Sequence, residues 1–233
     1  MPCILAIETS AQVGAVAIFR GERCEEVLAS EVMRDEQKLS AWVLPAIERV
    51  LAKAGLTGQA LDAIAFGAGP GSFTGVRTAC ATAQSLAYAW QKPLLTVDSL
   101  EALAAACALQ SVCVVLDARM RELYSASFAR RGDGELERIT ATVVSAPDAV
   151  VVPIAALVIG SGVKLLPGIR DVASVVAATA RAEALWAYGV AQVAAGKLAR
   201  GETTATMQAE PLYVRNTVAL TELERAKARM LMA

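Results

Sequence analysis

The stretch between Leu61 and Val97 limits the possible folds most. An apolar run, Leu61 to Gly67, passes directly into Gly69-Pro70-Gly71-Ser72-Phe73-Thr74-Gly75-Val76-Arg77, and then into a segment of small residues from Thr78 to Ala89. Three glycines and a proline between a short buried strand and a helix demand a tight turn. Ala79, Ala83, Ser85 and Ala87 leave that helix thin enough for a neighbouring helix to approach closely. Pro93 ends the segment, Leu94 to Val97 returns as a strand, and an alanine-rich helix follows, capped at Ser99 with Glu101. The alternation β, α, β, α implies an α/β sandwich. Amides of the loop point towards a helix N-terminus, where the macrodipole favours an anion, and Arg77 adds a positive charge. No Lys-Ser or Lys-Thr pair closes the loop, so it is not a Walker motif. Two readings therefore stay open: an anion- or nucleotide-proximal loop carrying Gly69, Gly71, Ser72, Thr74, Gly75 and Arg77, and a structural turn that lets two helices meet.

The same alternation extends in both directions. Cys3 to Ile7 is apolar and ends in Glu8-Thr9-Ser10, and Gly14 to Phe19 is apolar again, which reads as a β-hairpin with polar groups at its bend. A helix is expected from Glu36 to Ala54, closed by Gly55, with Leu39, Trp42, Val43, Ala46, Ile47, Val50 and Leu51 at helical spacing. Leu44 lies outside that stripe, so the helix is apolar on two faces, and Pro45 is expected to kink it or lie near a break. The second half opens in the same way, with Val112 to Leu116 before Asp117 and Phe128 eleven residues beyond it, matching the spacing of Glu8 and Phe19. The pattern raises a duplicated hairpin that opens two related lobes. Val150 to Ile159, Gly160-Ser161-Gly162 and a helix from Arg181 to Ala195 are expected to complete the second lobe. This divides the chain into lobes 1–108 and 109–216, followed by a tail, 217–233, whose Thr221 and Glu224 form a capping box.

Composition narrows the chemistry. Of 233 residues, 55% are hydrophobic and 19% charged, which excludes disorder for most of the chain. Its longest nearly uncharged apolar run, Ala149 to Ile159, is far shorter than the roughly 20 residues that cross a bilayer, so no membrane role is expected. Twenty-two basic and twenty-three acidic residues leave a net charge of −1, without the basic excess of a self-sufficient nucleic-acid binder. There is no histidine, which removes Ser-His-Asp and Cys-His catalysis and histidine metal sites. Five scattered cysteines with no C-x-x-C pair read as reduced, buried thiols. With no basic, cleavable apolar leader ahead of Glu8, the expected compartment is the cytoplasm.

In two-lobed folds that open each lobe with a hairpin, the bends hold phosphates and a metal through hydroxyls, amides and a carboxylate. Glu8, Thr9 and Ser10 are candidates in the first lobe. The matching bend, Asp117-Ala118-Arg119-Met120-Arg121-Glu122, has no glycine to let backbone approach a phosphate, and a surface turn with Arg-Glu pairing is the favoured reading. Ser72 and Thr74 have no histidine or nearby lysine to activate them and read as capping and loop hydrogen bonds.

Several motifs, in order and over nearly the full chain, resemble the TsaB (YeaZ) family: I-L-A-I-E-T-S at Ile4 to Ser10, L-P at Leu44-Pro45, G-P-G-S-F-T-G-V-R at Gly69 to Arg77, D-S-L-E-A-L-A at Asp98 to Ala104, D-A-R-x-x-E-L-Y at Asp117 to Tyr124 and P-L-Y-V-R-N at Pro211 to Asn216. The resemblance implies an actin-like (ASKHA) α/β fold of two lobes with mixed sheets flanked by helices. It also implies a non-catalytic subunit of the bacterial machinery that makes threonylcarbamoyladenosine in tRNA. In that machinery the paralogue TsaD carries the metal-binding histidines and transfers the threonylcarbamoyl group, and the ATPase TsaE is recruited to the pair. On this reading the chain has no catalytic or metal-binding residue and holds no cofactor tightly by itself. ATP, ADP and metal belong to the partners, tRNA is met only through the complex, and the isolated chain forms a homodimer. The implied partner interface is Leu39, Trp42, Val43 and Ala46 on the first helix with Ala79, Ala83 and Ala87 on the second, so a charge at Trp42 or Ala83 is expected to abolish pairing while leaving the lobe folded. Two departures stand out: many relatives have aspartate at Glu8, and often histidine at Leu39. The alternatives are an ATP-dependent small-molecule kinase of the same fold, which needs a glycine-containing second phosphate loop, and a peptidase, which must work without histidine.

Overall fold

The structure is a computed structural model that describes residues 1–11, 14–33, 38–107, 109–132, 134–168 and 182–215. Its first sheet has the order β3-β2-β1-β4-β5, built from β1 (Cys3–Glu8), β2 (Ala15–Arg20), β3 (Glu26–Val32), β4 (Ala63–Gly67) and β5 (Leu94–Val97). β1 pairs antiparallel with β2, Ile4 opposite Phe19 and Glu8 opposite Ala15, and parallel with β4. Period-2 alternation is complete on β1, and both sets of side chains are buried. Leu5 and Ile7 join Val16, Ile18, Ile64 and Phe66 beneath α1 (Leu39–Ala54) and α2 (Phe73–Trp90). On the opposite face, Ile4, Ala6, Ala15, Ala17, Ala63 and Ala65 meet α4 (Ala182–Ala199) through Ala187, Val190, Ala191 and Ala194. Alanine on both sides of that contact brings helix and sheet into close approach, and a sheet covered on both faces accounts for much of the apolar content.

The second sheet repeats the theme. β6 (Ser111–Asp117) pairs antiparallel with β7 (Leu123–Arg130), Val112 opposite Phe128, and parallel with β10 (Leu157–Ile159), while β8 (Leu136–Arg138) and β9 (Val143–Ser145) pair with β7. Each sheet thus opens with a hairpin whose first strand gains a parallel neighbour on its other edge, the arrangement raised by the matching spacings of Glu8 and Asp117. Between the sheets lies α3 (Ser99–Ala106), which turns Ala102 to the first sheet's core and Leu100, Leu103 and Ala104 to Val112, Val114 and Phe128 of the second. Both ends of α3 are tied down. The Asp98 carboxylate accepts from the amides of Leu100 and Glu101 at 2.7 and 3.2 Å and pairs with Arg138 at 3.0 Å. Arg130 donates to the carbonyls of Ala105 and Cys107 at 2.9 and 2.8 Å.

Several sequence expectations are corrected. The cap of α3 is Asp98, and Ser99 is buried inside the first turn. α2 begins at Phe73, five residues before the expected start, because Ser72 serves as its N-cap and draws the second half of the glycine loop into the helix. α1 runs unbroken through Pro45 and closes at Gly55, whose φ of +66° lets the Leu56 amide reach back to Leu51. The expected start of α1 at Glu36 and the capping box at Thr221 lie outside the described residues. The division at residue 109 also changes: α4, assigned to the second lobe, packs on the first sheet, and residues 204–212 return to it, with Thr204 bridging Leu94 and the Leu212 amide donating to Ala68. An alanine-rich helix has no register of its own that selects one sheet over another; the small-residue face of the first sheet selects it.

α3 and α4 cross at Gly189, where a Cβ would lie 1.9 Å from the Ala102 carbonyl oxygen. Gly189→Ala is expected to lower the unfolding free energy in urea by about 1–3 kcal/mol. Gly132→Ala, in open space, should shift it by less than about 0.5 kcal/mol.

Candidate functional site between the lobes

Glu8 ends β1 with no solvent exposure, and its carboxylate is spent inside the protein. One oxygen accepts from the Ser10 amide at 2.6 Å, the other from the Ser99 hydroxyl at 2.9 Å, and Ser99 accepts in turn from the Gly69 amide at 3.1 Å. Gly67 must be glycine because a Cβ there would sit 1.9 Å from the carboxylate. Burial pushes the Glu8 carboxyl above the ordinary glutamate range, against the hydrogen bonds from Ser10 and Ser99 that pull it down. Two neighbouring groups are committed as well, while the buried Ser10 hydroxyl has no hydrogen-bond partner among the described residues. The Thr9 hydroxyl donates to the Gly75 carbonyl at 2.7 Å, and the Ser72 amide donates to the Ser10 carbonyl at 2.7 Å.

The glycine loop packs closely against the first bend. A Cβ at Gly75 would lie 1.9 Å from the Thr9 carbonyl oxygen, and one at Gly71 2.4 Å from that of Ser10. Gly69, at φ +99°, supplies the left-handed turn. The amides of Gly69, Ser72, Gly75 and Val76 donate within the chain. Arg77 lies over the Phe73 ring, 3.3 Å from its centroid, and donates to the Tyr213 hydroxyl at 3.0 Å.

What remains open is a cavity of about 740 Å³ between the two hairpin bends. Of the expected loop residues, Ser10, Gly71 and Ser72 line it, whereas Glu8, Thr9, Gly69, Thr74, Gly75 and Arg77 do not. The second bend supplies Asp117 to Met120, and Gly160, Ser161 and Lys164 border it from beyond β10. Trp186 of α4 and the strand-like segment 212–215 complete the wall, and sequence reasoning assigned neither of them to the cleft. Their available signal was the P-L-Y-V-R-N motif, whose destination depends on how the chain returns from α4. The Asp117 carboxylate accepts from the Arg119 amide at 2.7 Å and pairs with its guanidinium at 3.6 Å, whereas Glu122 pairs with Arg215, so the Arg-Glu pair joins this bend to a distant segment and does not lie within a surface turn. Among the described residues no cluster of three or more Cys, Asp or Glu is placed to hold a metal. All five cysteines are free, and burial pushes the Cys24 thiol up to about 12.

Residues 26–221 match the family described as TsaD, tRNA N6-adenosine threonylcarbamoyltransferase. A tRNA threonylcarbamoyladenosine biosynthesis protein TsaB of Haemophilus influenzae is 31% identical over 230 residues, covering 92% of this chain and 94% of the relative. The chain belongs to the TsaB (YeaZ) family. The TsaB protein of Escherichia coli is 28% identical and covers 94% of this chain. The solved structure of YeaZ from Pseudomonas aeruginosa superposes with a TM-score of 0.76 at 32% identity, covering 91% of this chain and all of that one.

For this member of the TsaB family, the partner interface taken from the sequence needs correction. Trp42, Val43 and Ala46 of α1 and Ala79, Ala83 and Ala87 of α2 are all buried in the chain's own core, and Leu39 packs against it. Trp42, Val43, Ala46, Ala79, Ala83 and Ala87 face the first sheet, and Leu39 stays partly buried at the edge of that core. A charge at Trp42 or Ala83 would break the core itself. The solvent side of the same helices carries Ala41, Leu44, Pro45, Ala81, Ser85 and Tyr88, with Leu44 49% and Tyr88 74% exposed.

Because folding raises the Glu8 pKa, the native protein keeps a proton that the unfolded chain has already released. Its contribution to stability is therefore full below the ordinary value of 4.5 and is lost as pH rises through the folded value. In urea unfolding, Glu8→Gln should gain on the parent as pH rises above 4.5, levelling off once pH passes the folded value; parallel curves would show that Glu8 does not titrate abnormally. Glu8→Ala should lose about 1–3 kcal/mol at pH 4.5, since the Ser10 amide and Ser99 hydroxyl are left unpaired, and the loss should shrink as pH rises through the folded value.

Proposed function

We propose that this chain is a non-catalytic scaffold and activator subunit in tRNA threonylcarbamoyladenosine biosynthesis, paired with a catalytic TsaD-type subunit and helping to recruit a TsaE-type ATPase. The observation that carries the proposal is full-length likeness to TsaB proteins in a chain with no histidine. Such a chain lacks the side chain that best serves both proton transfer at neutral pH and transition-metal binding. The geometry of the bends favours the same reading. Glu8 and Thr9, which would face a phosphate or metal in a working nucleotide site, are turned inward, and the second bend offers arginines in place of a glycine loop. On this reading ATP, ADP and metal are held by the partners, tRNA is contacted through the assembled complex, and the isolated chain pairs with itself through the partner-binding surface.

The docking surface we assign is the solvent side of α1 and α2, centred on Leu44, Pro45, Ala81, Ser85 and Tyr88. Small residues on α2 allow a partner helix to approach closely, and Leu44 and Tyr88 supply the apolar anchors that interfaces concentrate at their centres.

Co-expression with a TsaD-type subunit tests this directly. Leu44→Glu and Tyr88→Glu should each reduce the co-purified heterodimer by about ten-fold or more while thermal unfolding stays within about 2 °C of the parent. Trp42→Glu should fail by unfolding. Unchanged heterodimer yield in both surface variants would remove the docking assignment, and normal threonylcarbamoyladenosine in tRNA after depletion of the chain would remove the functional one. Tight Mg-ATP binding by the isolated chain in calorimetry would favour a kinase instead.

A further inference from the structure

The second hairpin bend holds three successive non-glycine residues in the left-handed region: Arg119 at φ +63°, Met120 at +54° and Arg121 at +60°. Each such residue is disfavoured relative to ordinary backbone by the clash of its Cβ, so the conformation persists only where its surroundings enforce it. Inside the bend, the Ala118 amide donates to the Glu122 carbonyl at 2.9 Å and the Glu122 amide to the Arg119 carbonyl at 3.0 Å. The Arg119 amide also donates to the Asp117 carboxylate at 2.7 Å and the Asp117 amide to the Ser161 hydroxyl at 3.2 Å, and further support comes from 93 residues along the chain. The Arg215 guanidinium donates to the Ala118 carbonyl at 3.3 Å and pairs with the Glu122 carboxylate, bracketing the three left-handed residues, and it also lies 3.3 Å from the Met120 sulfur. The Arg215 side chain is 17% exposed and that of Glu122 40%, so the guanidinium end is withdrawn from water while the carboxylate remains partly solvated.

Arg215 is positioned by a segment that belongs to the other lobe. The Thr204 amide donates to the Leu94 carbonyl at 2.8 Å, and Gln84 of α2 donates to the carbonyls of Thr206 and Ala209 at 2.9 and 3.0 Å. The Leu212 amide donates to Ala68 at 2.8 Å, and Tyr213 takes the Arg77 hydrogen bond. Residues 204–213 are thus fastened to the first lobe along α2 and the ends of β4 and β5, and Arg215 reaches across the cleft to the second. We propose that residues 209–215 are an inter-lobe latch: Arg215 holds the second hairpin bend in its left-handed form and so fixes the cleft wall from Asp117 to Met120. Release of the latch frees the bend to relax and changes the shape of the cleft without disturbing either sheet. This inference is independent of the subunit role proposed above.

Hydrogen exchange of the full-length chain, followed by mass spectrometry, reads the bend and the two lobes separately. Arg215→Ala should raise exchange across 118–123 at least ten-fold while β1, β4 and α1 stay within two-fold of the parent. Arg215→Glu should do the same, and Arg215→Glu combined with Glu122→Arg should recover at least half of the lost protection on a logarithmic scale. Met120→Gly, which removes part of the left-handed cost, should make the bend's protection less dependent on Arg215: adding Arg215→Ala to Met120→Gly should raise exchange by less than three-fold. Unchanged exchange at 118–123 in Arg215→Ala overturns the latch, as does a charge-swapped double variant no better than Arg215→Glu alone. Should Arg215→Ala unfold the whole chain, Glu122→Gln provides the same reading: a local rise confined to 118–123 supports the latch, and no local rise overturns it.

Discussion

A carboxyl group fully withdrawn from water must be hydrogen-bonded or the fold does not hold, and the first lobe is assembled around that requirement at Glu8. Its two oxygens draw in the Ser10 amide from the first bend and the Ser99 hydroxyl from the start of α3, and Ser99 reaches on to the Gly69 amide at the mouth of the glycine loop. Gly67 makes room for the group at the end of β4. Three chain segments, far apart in sequence, are thereby fixed to one point. The inward commitment of Glu8 also removes it from the cleft, so the same interaction that organises the lobe denies this bend the carboxylate a nucleotide site would use.

From that point the packing spreads through contacts that tolerate almost no added volume. Gly71 and Gly75 press the glycine loop against the first bend, and Gly189 lets α4 cross α3 at backbone contact. The alanine-lined face of the first sheet takes α4, while its larger Leu, Ile and Phe side chains face α1 and α2. α3 sits between the two sheets and is clamped at both ends by Arg138 and Arg130 from the second, so the lobes share a core element as well as a cleft.

Local signals in the sequence reported local structure faithfully. The hairpin around Glu8, the glycine close of α1 at Gly55 and the repeat of the hairpin at Asp117 depend on short-range pattern and turn chemistry, and each is present. Ser99 misled as a cap because an Asp beside a Ser leaves two plausible N-caps, and the choice fell to Asp98 once Glu8 claimed the Ser99 hydroxyl. The interface residues misled for a related reason. A helix that covers a sheet and also meets a partner has two apolar faces, and periodicity does not say which points inward. Trp42 and Ala83 fill the chain's own core, leaving Leu44 and Tyr88 outside.

The sequence by itself determined the α/β alternation, the paired hairpins, the family and the exclusion of histidine chemistry, because each is written in residue type and short-range spacing. Only the tertiary structure decided that α4 returns to the first sheet, that the glycine loop packs against a bend whose Ser10 amide and Glu8 carboxyl are already paired, and that Arg215 closes on a bend 93 residues before it. Those outcomes depend on which surfaces remain after every other element has been placed. Complementarity of volume, and the need to pair each buried polar group, set them over distances that no local pattern spans.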